Sequence, residues 1–278
     1  MDKRLLTIQD ISCVGQCSLT VALPVISACG IETAVLPSSV LSNHTAKGFS
    51  GWTFRDLTED MSPILERWKT EKITFDAFYT GYVSKAQIPH ILKIMKETAR
   101  EGAVKIVDPV MADNGKLYAG FDTDFPEEMK KLCSAADVIM PNITEASLLL
   151  NKEYKADNYD QSYVEDLLKG LYSLGPKNVI LTGVSFENSR LGIACYDGKK
   201  IDYYFSERIP VSMHGTGDAF ASACAGALLR GKSLFQAASI AADFVLESIK
   251  NTVNDKDHWY GVKFEKALPY LIYRLGQN

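Results

Sequence analysis

The sequence predicts an α/β protein in which a mostly parallel central sheet carries helices on both faces. Short apolar or β-branched segments alternate along the chain with longer segments of helical period. Such alternation is typical of a parallel sheet, because each parallel connection needs room for a crossover helix. Near residue 197, an Asp-Gly turn joins two further strand-like segments. A two-residue Asp-Gly turn joins antiparallel strands, so an antiparallel hairpin is expected at the edge of the sheet.

The predicted elements follow from local periodicity, taken in chain order. The strand segments are Leu5 to Gln9, Thr33 to Leu36, Phe75 to Thr80, Val104 to Val107, Asp137 to Met140 and Val179 to Thr182. Helical period appears at about 18–29, 56–71, 84–101, 124–133, 143–150 and 160–174. The hairpin pairs Leu191 to Tyr196 with Ile201 to Phe205, and three helices follow at about 217–230, 234–252 and 263–275.

Length and composition favour a single globular domain that spans residues 1–278. The chain is 46% hydrophobic and 23% charged, which is ordinary for a soluble protein and excludes disordered and fibrous classes. The net charge of −4 lacks the basic excess of a nucleic-acid-binding protein. The first residues show no secretory signal pattern, and no apolar run reaches the roughly 18 residues of a membrane span. We therefore expect a cytoplasmic protein that binds neither nucleic acid nor membranes.

Six cysteines are scattered through apolar segments of the chain. Cys13 and Cys17 are four residues apart, a spacing that fits neither a redox pair nor a zinc knuckle. We therefore expect all six to be buried, reduced thiols.

One match to a nucleotide-binding motif is interpreted as a coincidence. Residues 226–233 fit the P-loop pattern G-x-x-x-x-G-K-[ST]. A P-loop must follow a strand and open a helix, so that its backbone N–H groups face the phosphates. Here a small-residue helix precedes the motif. Gly231 is therefore predicted to end that helix, and Ser233 with Gln236 to form the capping box of the next one.

A stronger candidate for phosphate binding is the segment His214-Gly-Thr-Gly-Asp218. Gly215 and Gly217 flank Thr216 at the start of a helix rich in alanine and glycine. Glycine lets an anion approach the backbone, and N–H groups at a helix N-terminus, aided by the helix dipole, bind anions. Asp218 would face the same point. From this segment alone, Asp218 is equally well explained as an acidic residue that stabilises the first helical turn.

Other polar residues follow the predicted strands, where ligands of parallel sheets bind. Asp108 and Asp113 follow one strand, and two carboxylates at this spacing are able to reach a magnesium ion directly or through water. Asn142 and Glu145 follow the next strand, although ordinary helix capping also explains them. Thr182 ends the strand after that. Several polar clusters on successive strand ends, followed by Gly-Thr-Gly-Asp, favour a phosphate-handling site over chance.

These motifs resemble the ribokinase-like superfamily and, within it, the pyridoxal (vitamin B6) kinases. The resemblance covers nearly the whole chain and includes the order of Asp-Pro-Val-Met at 108–111, Pro-Asn-x-x-Glu at 141–145 and Gly-Thr-Gly-Asp at 215–218. Ser-Asn-His-Thr at 42–45 and Gly-Tyr at 81–82 are similar to the pyridoxal kinase subgroup. The resemblance implies a three-layer ribokinase-like sandwich and an ATP-dependent kinase of vitamin B6 salvage.

The resemblance also implies roles for individual residues in phosphoryl transfer. Asp218 would be the general base that accepts a proton from the hydroxymethyl group of the vitamin. Gly215, Thr216 and Gly217 would form the anion hole for the transferring phosphoryl group. The residues that would hold magnesium-ATP, directly or through water, are Asp108, Asp113, Asn142 and Glu145, with Asp113 and Glu145 nearest the metal and Thr182 close to the phosphates.

The vitamin pocket and the partners are implied in the same way. Asp10, Thr45 and Tyr82 would line the pocket, and a flap from Asp113 to about Asp124, which includes Tyr118, would close over the reactants. Potassium often assists enzymes of this family, and they usually form homodimers, so both are expected here.

Two positions depart from the pattern of the family. Asp10 stands where many pyridoxal kinases have a serine that contacts the pyridine ring. A carboxylate there is able to pair with a protonated ring nitrogen or to favour an amine-bearing vitamer, and the alternative is a residue that caps a turn at the strand end. Ala112 stands where the family often has glycine, which weakens the assignment of Asp113 relative to Asp108.

Three alternative functions were weighed against a vitamin B6 kinase. A hydroxymethylpyrimidine kinase of thiamine metabolism has the same fold, but that subgroup commonly has cysteine where Asp218 stands. Sugar and nucleoside kinases of the superfamily usually carry a Gly-Gly motif, and the chain has no Gly-Gly pair. A non-catalytic B6-binding protein would have no chemical reason to keep both a base and an anion hole.

Overall fold

The computed structural model describes residues 3–45, 48–118 and 120–276. Its strands are β1 (Arg4–Ser12), β2 (Glu32–Leu41), β3 (Phe54–Asp56), β4 (Phe75–Thr80), β5 (Ala99–Val107), β6 (Ala112–Asp113), β7 (Lys116–Leu117), β8 (Val138–Ile139), β9 (Asn178–Val184), β10 (Arg190–Tyr196) and β11 (Ile201–Glu207). Its helices are α1 (Leu19–Ala28), α2 (Thr58–Thr70), α3 (Ile88–Thr98), α4 (Phe125–Ser134), α5 (Ile143–Leu149), α6 (Gln161–Tyr172), α7 (Thr216–Leu229), α8 (Leu234–Thr252) and α9 (Leu268–Gly276). Single 3₁₀ turns, Lys85–Gln87 and Phe264–Ala267, precede α3 and α9.

The central sheet has the strand order β11-β10-β9-β8-β5-β4-β1-β2-β3. Strands β2, β1, β4, β5, β8 and β9 are parallel to one another, whereas β10 and β11 form an antiparallel hairpin at one edge. The predicted mostly parallel sheet with an antiparallel edge hairpin is therefore confirmed. Because the parallel strands share one direction, their carboxyl ends lie at a single edge of the sheet.

Two apolar cores, one on each face of the sheet, give the three layers that were predicted. On one face, α1, α7 and α8 pack against side chains such as Leu5 and Tyr79. On the other face, α2 to α6 pack against side chains such as Leu6 and Phe78. Alternation along each strand sends neighbouring side chains to opposite faces, so β1 and β4, at the middle of the sheet, are buried along nearly their whole length, as expected for a sheet covered on both sides.

The predicted helix 84–101 is too long at both ends. A 3₁₀ turn precedes α3, which ends at Thr98, and the chain passes directly into β5 at Ala99. The Arg100 guanidinium donates to both carboxylate oxygens of Asp76, at 3.0 and 2.8 Å, and this pair fixes the start of the strand against β4. Helical periodicity cannot reveal such a long-range contact.

Strand β2 extends well beyond its predicted range, and β3 was not predicted at all. Pro37 lies inside β2 opposite Gln9 of β1. Strand β3 pairs with β2 only from Ser39 to Leu41, so Pro37 lies where β2 has no outer neighbour, as is usual for a proline in a sheet. The three exposed residues of β3 lack the apolar pattern from which strands are predicted.

The prediction that all six cysteines are buried is wrong for two of them. All six are free thiols, and Cys29, Cys133, Cys195 and Cys224 are buried, but Cys13 is exposed and Cys17 is half-buried. These two lie in the loop between β1 and α1, outside both apolar cores.

The interpretation of residues 226–233 as a turn between helices is confirmed. Gly231 has φ of +85° just beyond α7, and the N–H groups of Gly231 and Lys232 donate to the carbonyls of Leu228 and Ala227, as in a Schellman motif. Ser233 and Gln236 then form the predicted capping box of α8. Within the described parts of the chain, no helix has both the length and the apolar character needed to cross a bilayer.

The cap interpretation predicts the behaviour of a Ser233→Ala variant. Loss of the hydroxyl removes the hydrogen bond from the Gln236 N–H and is expected to lower the free energy of unfolding by about 1 kcal/mol. Chemical denaturation measures this effect, and Ser233→Asp, which keeps a capping oxygen, is the matched control. A stable variant with weakened nucleotide binding would contradict the cap and support a P-loop.

Candidate active site

The polar segments that were predicted to act together do meet at the carboxyl edge of the parallel strands. Thr182, in β9, and Asn142, just after β8, form a parallel bridge. The carboxylate of Glu145 accepts a hydrogen bond from the Met111 N–H in the segment after β5. The charge of Asp218, at the start of α7, raises the pKa of Asp108 and so lies close to it. Residues distant in sequence therefore form one cluster.

The loop before α7 passes so close to the loop before α1 that only glycine fits at position 215. Gly215 has φ of +77°, and an added Cβ would lie 1.7 Å from the carbonyl oxygen of Gln16. The Ala219 N–H donates to the Gly215 carbonyl at 2.9 Å and begins the first helical turn. At Gly217, by contrast, an added Cβ would meet no described atom within 4 Å. The N-terminus of α7 therefore presents open backbone, suited to an anion.

Asp218 has the protonation behaviour of a general base at neutral pH. The pKa of its carboxyl group is raised to about 6, chiefly by burial and also by the charge of Asp10, after the backbone hydrogen bond of Ser18 has offset part of the rise. The carboxylate is thus mostly ionised at pH 7, yet a strong enough base to accept a proton in a transition state. This value favours the catalytic interpretation over a simple helix-stabilising one.

Asp10 lies close enough to Asp218 for its charge to raise the pKa of that carboxyl group. It is only 5% exposed, and the Ser12 hydroxyl donates to its Oδ2 at 2.9 Å. Burial raises the pKa of Asp10, and hydrogen bonds from Ser18 and Ser12 and the nearby His44 lower it in part. Ser12 is a local partner in the same strand, whereas Ser18 lies in the loop before α1 and His44 in the loop after β2. Asp10 therefore interacts beyond its own turn.

The other two predicted pocket residues differ in their placement. Tyr82 is half-buried, and burial and the charge of Asp10 raise the pKa of its hydroxyl. Its ring packs against Phe121 with 5.3 Å between centroids, which links the pocket to the predicted flap. Thr45 is exposed and follows the buried His44, whose Nε2 is 2.9 Å from the Tyr260 carbonyl oxygen.

The predicted flap begins with a small hairpin of β6 and β7, one residue earlier than expected. The Tyr118 N–H donates to the Met111 carbonyl at 2.9 Å. Burial raises the pKa of the Tyr118 hydroxyl, and so do four carboxylates: Glu145, Asp113, Asp108 and Asp218. The Tyr118 hydroxyl therefore lies near these carboxylates, and its role in a flap stays a prediction. Ala119 lies outside the described residues.

Asn142 and Glu145 form the capping box of α5 and also hold the segment after β5. The Glu145 Oε2 accepts from the Asn142 N–H at 2.9 Å, and its Oε1 accepts from the Met111 N–H at 3.1 Å. The Asn142 Nδ2 donates to the Ala112 carbonyl at 2.9 Å. Burial raises the pKa of Glu145 to about 8, and these backbone hydrogen bonds partly offset the rise. The capping alternative is thus confirmed, and the same bonds shape the turn beside Asp108.

The residues predicted to bind a metal do not form a ready-made metal site. In the described ranges, no group of three or more His, Cys, Asp or Glu side chains is arranged to hold a metal ion. Asp113 is exposed, and its Oδ1 accepts from the Asn114 N–H at 2.9 Å. Asp108 is 7% exposed, and its side chain accepts no hydrogen bond from any described residue. Of these carboxylates, Asp108 is therefore the freest to bind a ligand.

Two groups near the base were not singled out from the sequence. The pKa of the Cys17 thiol is raised by burial and by the charges of Asp218 and Asp10, so the thiol lies near both carboxyl groups. The pKa of the Tyr79 hydroxyl is raised by burial and by Asp108 and Asp218. Neither residue belongs to a motif, and a tyrosine in an apolar strand gives no signal that its hydroxyl reaches a site.

Comparison with known proteins identifies the family. Residues 63–262, more than two thirds of the chain, match the sequence family described as phosphomethylpyrimidine kinase. The chain belongs to this family. A pyridoxal kinase of Dictyostelium discoideum is 27% identical over 276 residues, which cover 92% of this chain and 87% of that protein.

Solved structures place this phosphomethylpyrimidine kinase family member among enzymes of known fold. A pyridoxal kinase from Lactobacillus plantarum is 32% identical, with a TM-score of 0.89 over 98% of this chain and 97% of that one. A protein of Bacteroides thetaiotaomicron, provisionally assigned as a phosphomethylpyrimidine kinase and solved with pyridoxal, is 36% identical, with a TM-score of 0.91 over 98% and 96%. The resemblance to pyridoxal kinases, the ribokinase-like fold and the assignment as a kinase are thus confirmed.

The two glycines before Asp218 are expected to respond differently to alanine. Gly215→Ala places a Cβ against the Gln16 carbonyl at a positive φ, and the strained backbone alone costs about 1 kcal/mol or more. Gly217→Ala meets nothing in the protein, so its melting temperature is expected to equal that of the wild type. Thermal unfolding of both variants measures the difference. Equal melting temperatures for the two variants would contradict the close contact at Gly215.

Proposed function

We propose that this kinase transfers the terminal phosphoryl group of ATP to the hydroxymethyl group of a B6 vitamer: pyridoxal, pyridoxine or pyridoxamine. One observation carries the proposal. A carboxylate whose pKa is about 6, Asp218, stands at the open N-terminus of α7 and beside the pocket that Asp10 lines. Transfer of a phosphoryl group to a primary alcohol requires a base, an anion site and a polar pocket of this kind. The similarity to the Bacteroides protein solved with pyridoxal supports this choice of substrate.

In the proposed step, the vitamer oxygen forms a bond to the γ-phosphorus while the bond to the β–γ bridging oxygen breaks. Asp218 accepts the proton of the hydroxymethyl group, and ADP leaves with the electron pair of the broken bond. The backbone of residues 215–217 and the dipole of α7 stabilise the charge on the equatorial oxygens. Most of the catalytic effect then comes from positioning and electrostatics, as in phosphoryl transfer generally. Closure of the flap that carries Tyr118 would exclude water from the reaction.

The acidic residues fit a magnesium ion that arrives with the nucleotide. Asp108 and Glu145 are both buried, and the charge of Glu145 raises the pKa of Asp108, so a cation there would relieve their repulsion. We propose that Asp108, Asp113, Asn142 and Glu145 hold the magnesium–ATP complex, directly or through water. Asp113 and Glu145 would lie nearest the metal, and Thr182 close to the phosphates. When bound, the ion would neutralise charge on the β- and γ-phosphates. A potassium ion and a homodimer are implied only by the family resemblance and stay predictions.

A hydroxymethylpyrimidine kinase remains the second candidate, because the matched family and the Bacteroides protein both carry the phosphomethylpyrimidine kinase description. Against it stands the residue type of the base, since Asp218 replaces the cysteine common in that subgroup. A non-catalytic B6-binding protein would bind the vitamer without consuming ATP.

The deciding experiment measures ADP release from magnesium-ATP with pyridoxal, pyridoxine, pyridoxamine and hydroxymethylpyrimidine in parallel. Turnover of at least one vitamer at a higher kcat/KM than hydroxymethylpyrimidine is expected. Turnover of hydroxymethylpyrimidine alone would assign the protein to thiamine metabolism. Vitamer binding by calorimetry without any turnover would instead favour the carrier.

The role of Asp218 predicts a defined pH profile. Activity is expected to rise with pH through a midpoint of about 6, because the carboxyl group must lose its proton before it acts as a base. In Asp218→Asn, kcat is expected to fall by about a thousandfold with KM values little changed, since the pocket keeps its shape. Steady-state kinetics from about pH 5 to 8 tests both statements, because this range spans the titration of the Asp218 carboxyl group. An Asn variant with near wild-type kcat would remove the general-base assignment.

Asp10 is expected to set the preference among vitamers. Asp10→Ser, which removes the charge, is predicted to lower kcat/KM for amine-bearing pyridoxamine relative to pyridoxal by about tenfold, the usual effect of losing one charge-assisted hydrogen bond. Asp10→Asn is the matched variant, because it removes the charge and keeps the shape. Competition between the two vitamers measures the ratio directly. An unchanged ratio in both variants would return Asp10 to a structural role.

A further inference from the structure

A group of buried polar atoms with unusual properties lies beneath the candidate base. Gln9 of β1, Tyr79 of β4 and Ser222 of α7 are fully buried, with exposures of 0%. Within the described ranges, the Gln9 Oε1, the Tyr79 hydroxyl and the Ser222 hydroxyl have no hydrogen-bond partner of acceptable geometry. Such atoms are rare in folded proteins, and each one calls for an explanation.

The fold brings these three side chains together on the face of the sheet that α7 covers. In the register of β1 and β4, Thr7 lies opposite Tyr79, so Gln9, two residues on, points to the same face. The Gln9 side chain lies over Gly81, where an added Cβ would be 2.5 Å from its Oε1. Ser222 follows Asp218 by four residues and therefore lies on the same face of α7, one turn further into the core.

The Tyr79 hydroxyl is at the centre of this group. Its pKa is raised by burial and by the charges of Asp108 and Asp218, and it is lowered by the adjacent Ser222 hydroxyl and the Gln9 amide. The two neighbours are thus close enough to act on the hydroxyl, although neither is aligned for a good hydrogen bond. The Gln9 Nε2 already donates to the Thr7 Oγ1 at 2.8 Å, which leaves its Oε1 as an acceptor.

Ser222 differs from most of the other buried hydroxyl groups within helices. Thr98, Ser147, Ser239, Ser248 and Thr252 each donate to a backbone carbonyl three or four residues earlier, at distances from 2.7 to 3.0 Å. This is the usual way in which a helix satisfies such a group. Ser222 makes no such bond, so its hydroxyl is turned away from its own helix and is available to Tyr79.

The three groups have complementary hydrogen-bonding capacity. The Ser222 hydroxyl is able to donate to the Tyr79 oxygen, and the Tyr79 hydroxyl to the Gln9 Oε1. Apolar residues of similar shape would avoid the cost of burying these atoms unpaired, so stability alone does not explain their presence. A small movement of the first turns of α7 against the sheet would complete both bonds and would move Asp218 with them.

We propose that Tyr79, Ser222 and Gln9 are positioning residues for the base, and that Tyr79 joins α7 to the central sheet and so sets where the Asp218 carboxylate stands against the substrate hydroxymethyl group. The proposal rests on the proposed phosphoryl transfer. The three side chains are fully buried, so they would act only through the placement of α7. Their effect therefore falls on kcat rather than on the binding of vitamer or ATP.

The test is a double-mutant cycle of Tyr79→Phe and Ser222→Ala, measured on the best substrate of the wild-type enzyme. Each single variant is expected to lower kcat about 5- to 20-fold, because the Asp218 carboxylate is less well oriented. Both KM values are expected to stay within about twofold of wild type. The double variant is expected to be no slower than the slower single variant, because both changes break the same connection. Ser248→Ala, at a buried helical serine that bonds its own helix, is the matched control and should keep the wild-type kcat.

The possible outcomes separate this proposal from the proposed function. Vitamer turnover by the wild type, with unchanged kcat in both single variants, would overturn only the positioning role. Additive losses in the double variant, or a rise in KM equal to the fall in kcat, would overturn it as well. Thermal unfolding of each variant is measured in parallel, and a fall in kcat that merely follows a loss of folded protein would count against the proposal. Absence of turnover by the wild type would refute the proposed function, and the positioning role with it.

Discussion

The removal of carboxyl groups from water at one edge of the sheet sets the electrostatics of this candidate site. The parallel sheet brings the carboxyl ends of its strands to one edge, and Asp10, Asp108, Glu145 and Asp218 meet there. None of the four forms an ion pair with a described lysine or arginine. Burial is the largest cause of the raised pKa in each of the four. Repulsion adds to the rise at two of them: Glu145 and Asp218 act on Asp108, and Asp10 acts on Asp218. A site of this kind binds cations and proton donors well, which suits a metal–nucleotide complex and an alcohol that must give up its proton.

The backbone around the cluster resists this repulsion through a few specific contacts. The carboxylate of Glu145 accepts amide hydrogen bonds from both Asn142 and Met111, so it fixes the turn that carries Asp108. On the opposite side, Gly215 lies against the Gln16 carbonyl, which fixes the entry to α7. These contacts hold the acidic groups in place before any ligand arrives. Preorganisation of this kind is the main source of electrostatic catalysis, because no reorganisation is needed during the reaction.

The sequence predicted the layout of the fold and the membership of the site better than its internal contacts. Alternating periodicity located the parallel strands, and turn chemistry located the hairpin and rejected the P-loop match at Ser233, since these signals are local. The start of β5 was missed because the pairing of Arg100 with Asp76 joins residues distant in sequence. Tyr79 was missed for a related reason. A tyrosine in an apolar strand is expected to be an ordinary core side chain. Only the packing of α7, which brings the Ser222 hydroxyl near Tyr79, sets this one apart.

Capping and catalysis are not competing explanations for Asn142 and Glu145. The sequence offered them as alternatives, because a capping box accounts for both residues without any site. In the structure, the capping bonds are the ones that bring the Glu145 carboxylate under the segment after β5 and the Asn142 amide to the Ala112 carbonyl. A helix that must begin at the edge of a parallel sheet needs polar side chains there, and a ligand at that edge meets the same side chains. The local requirement of the helix and the chemical requirement of the site therefore select the same residues.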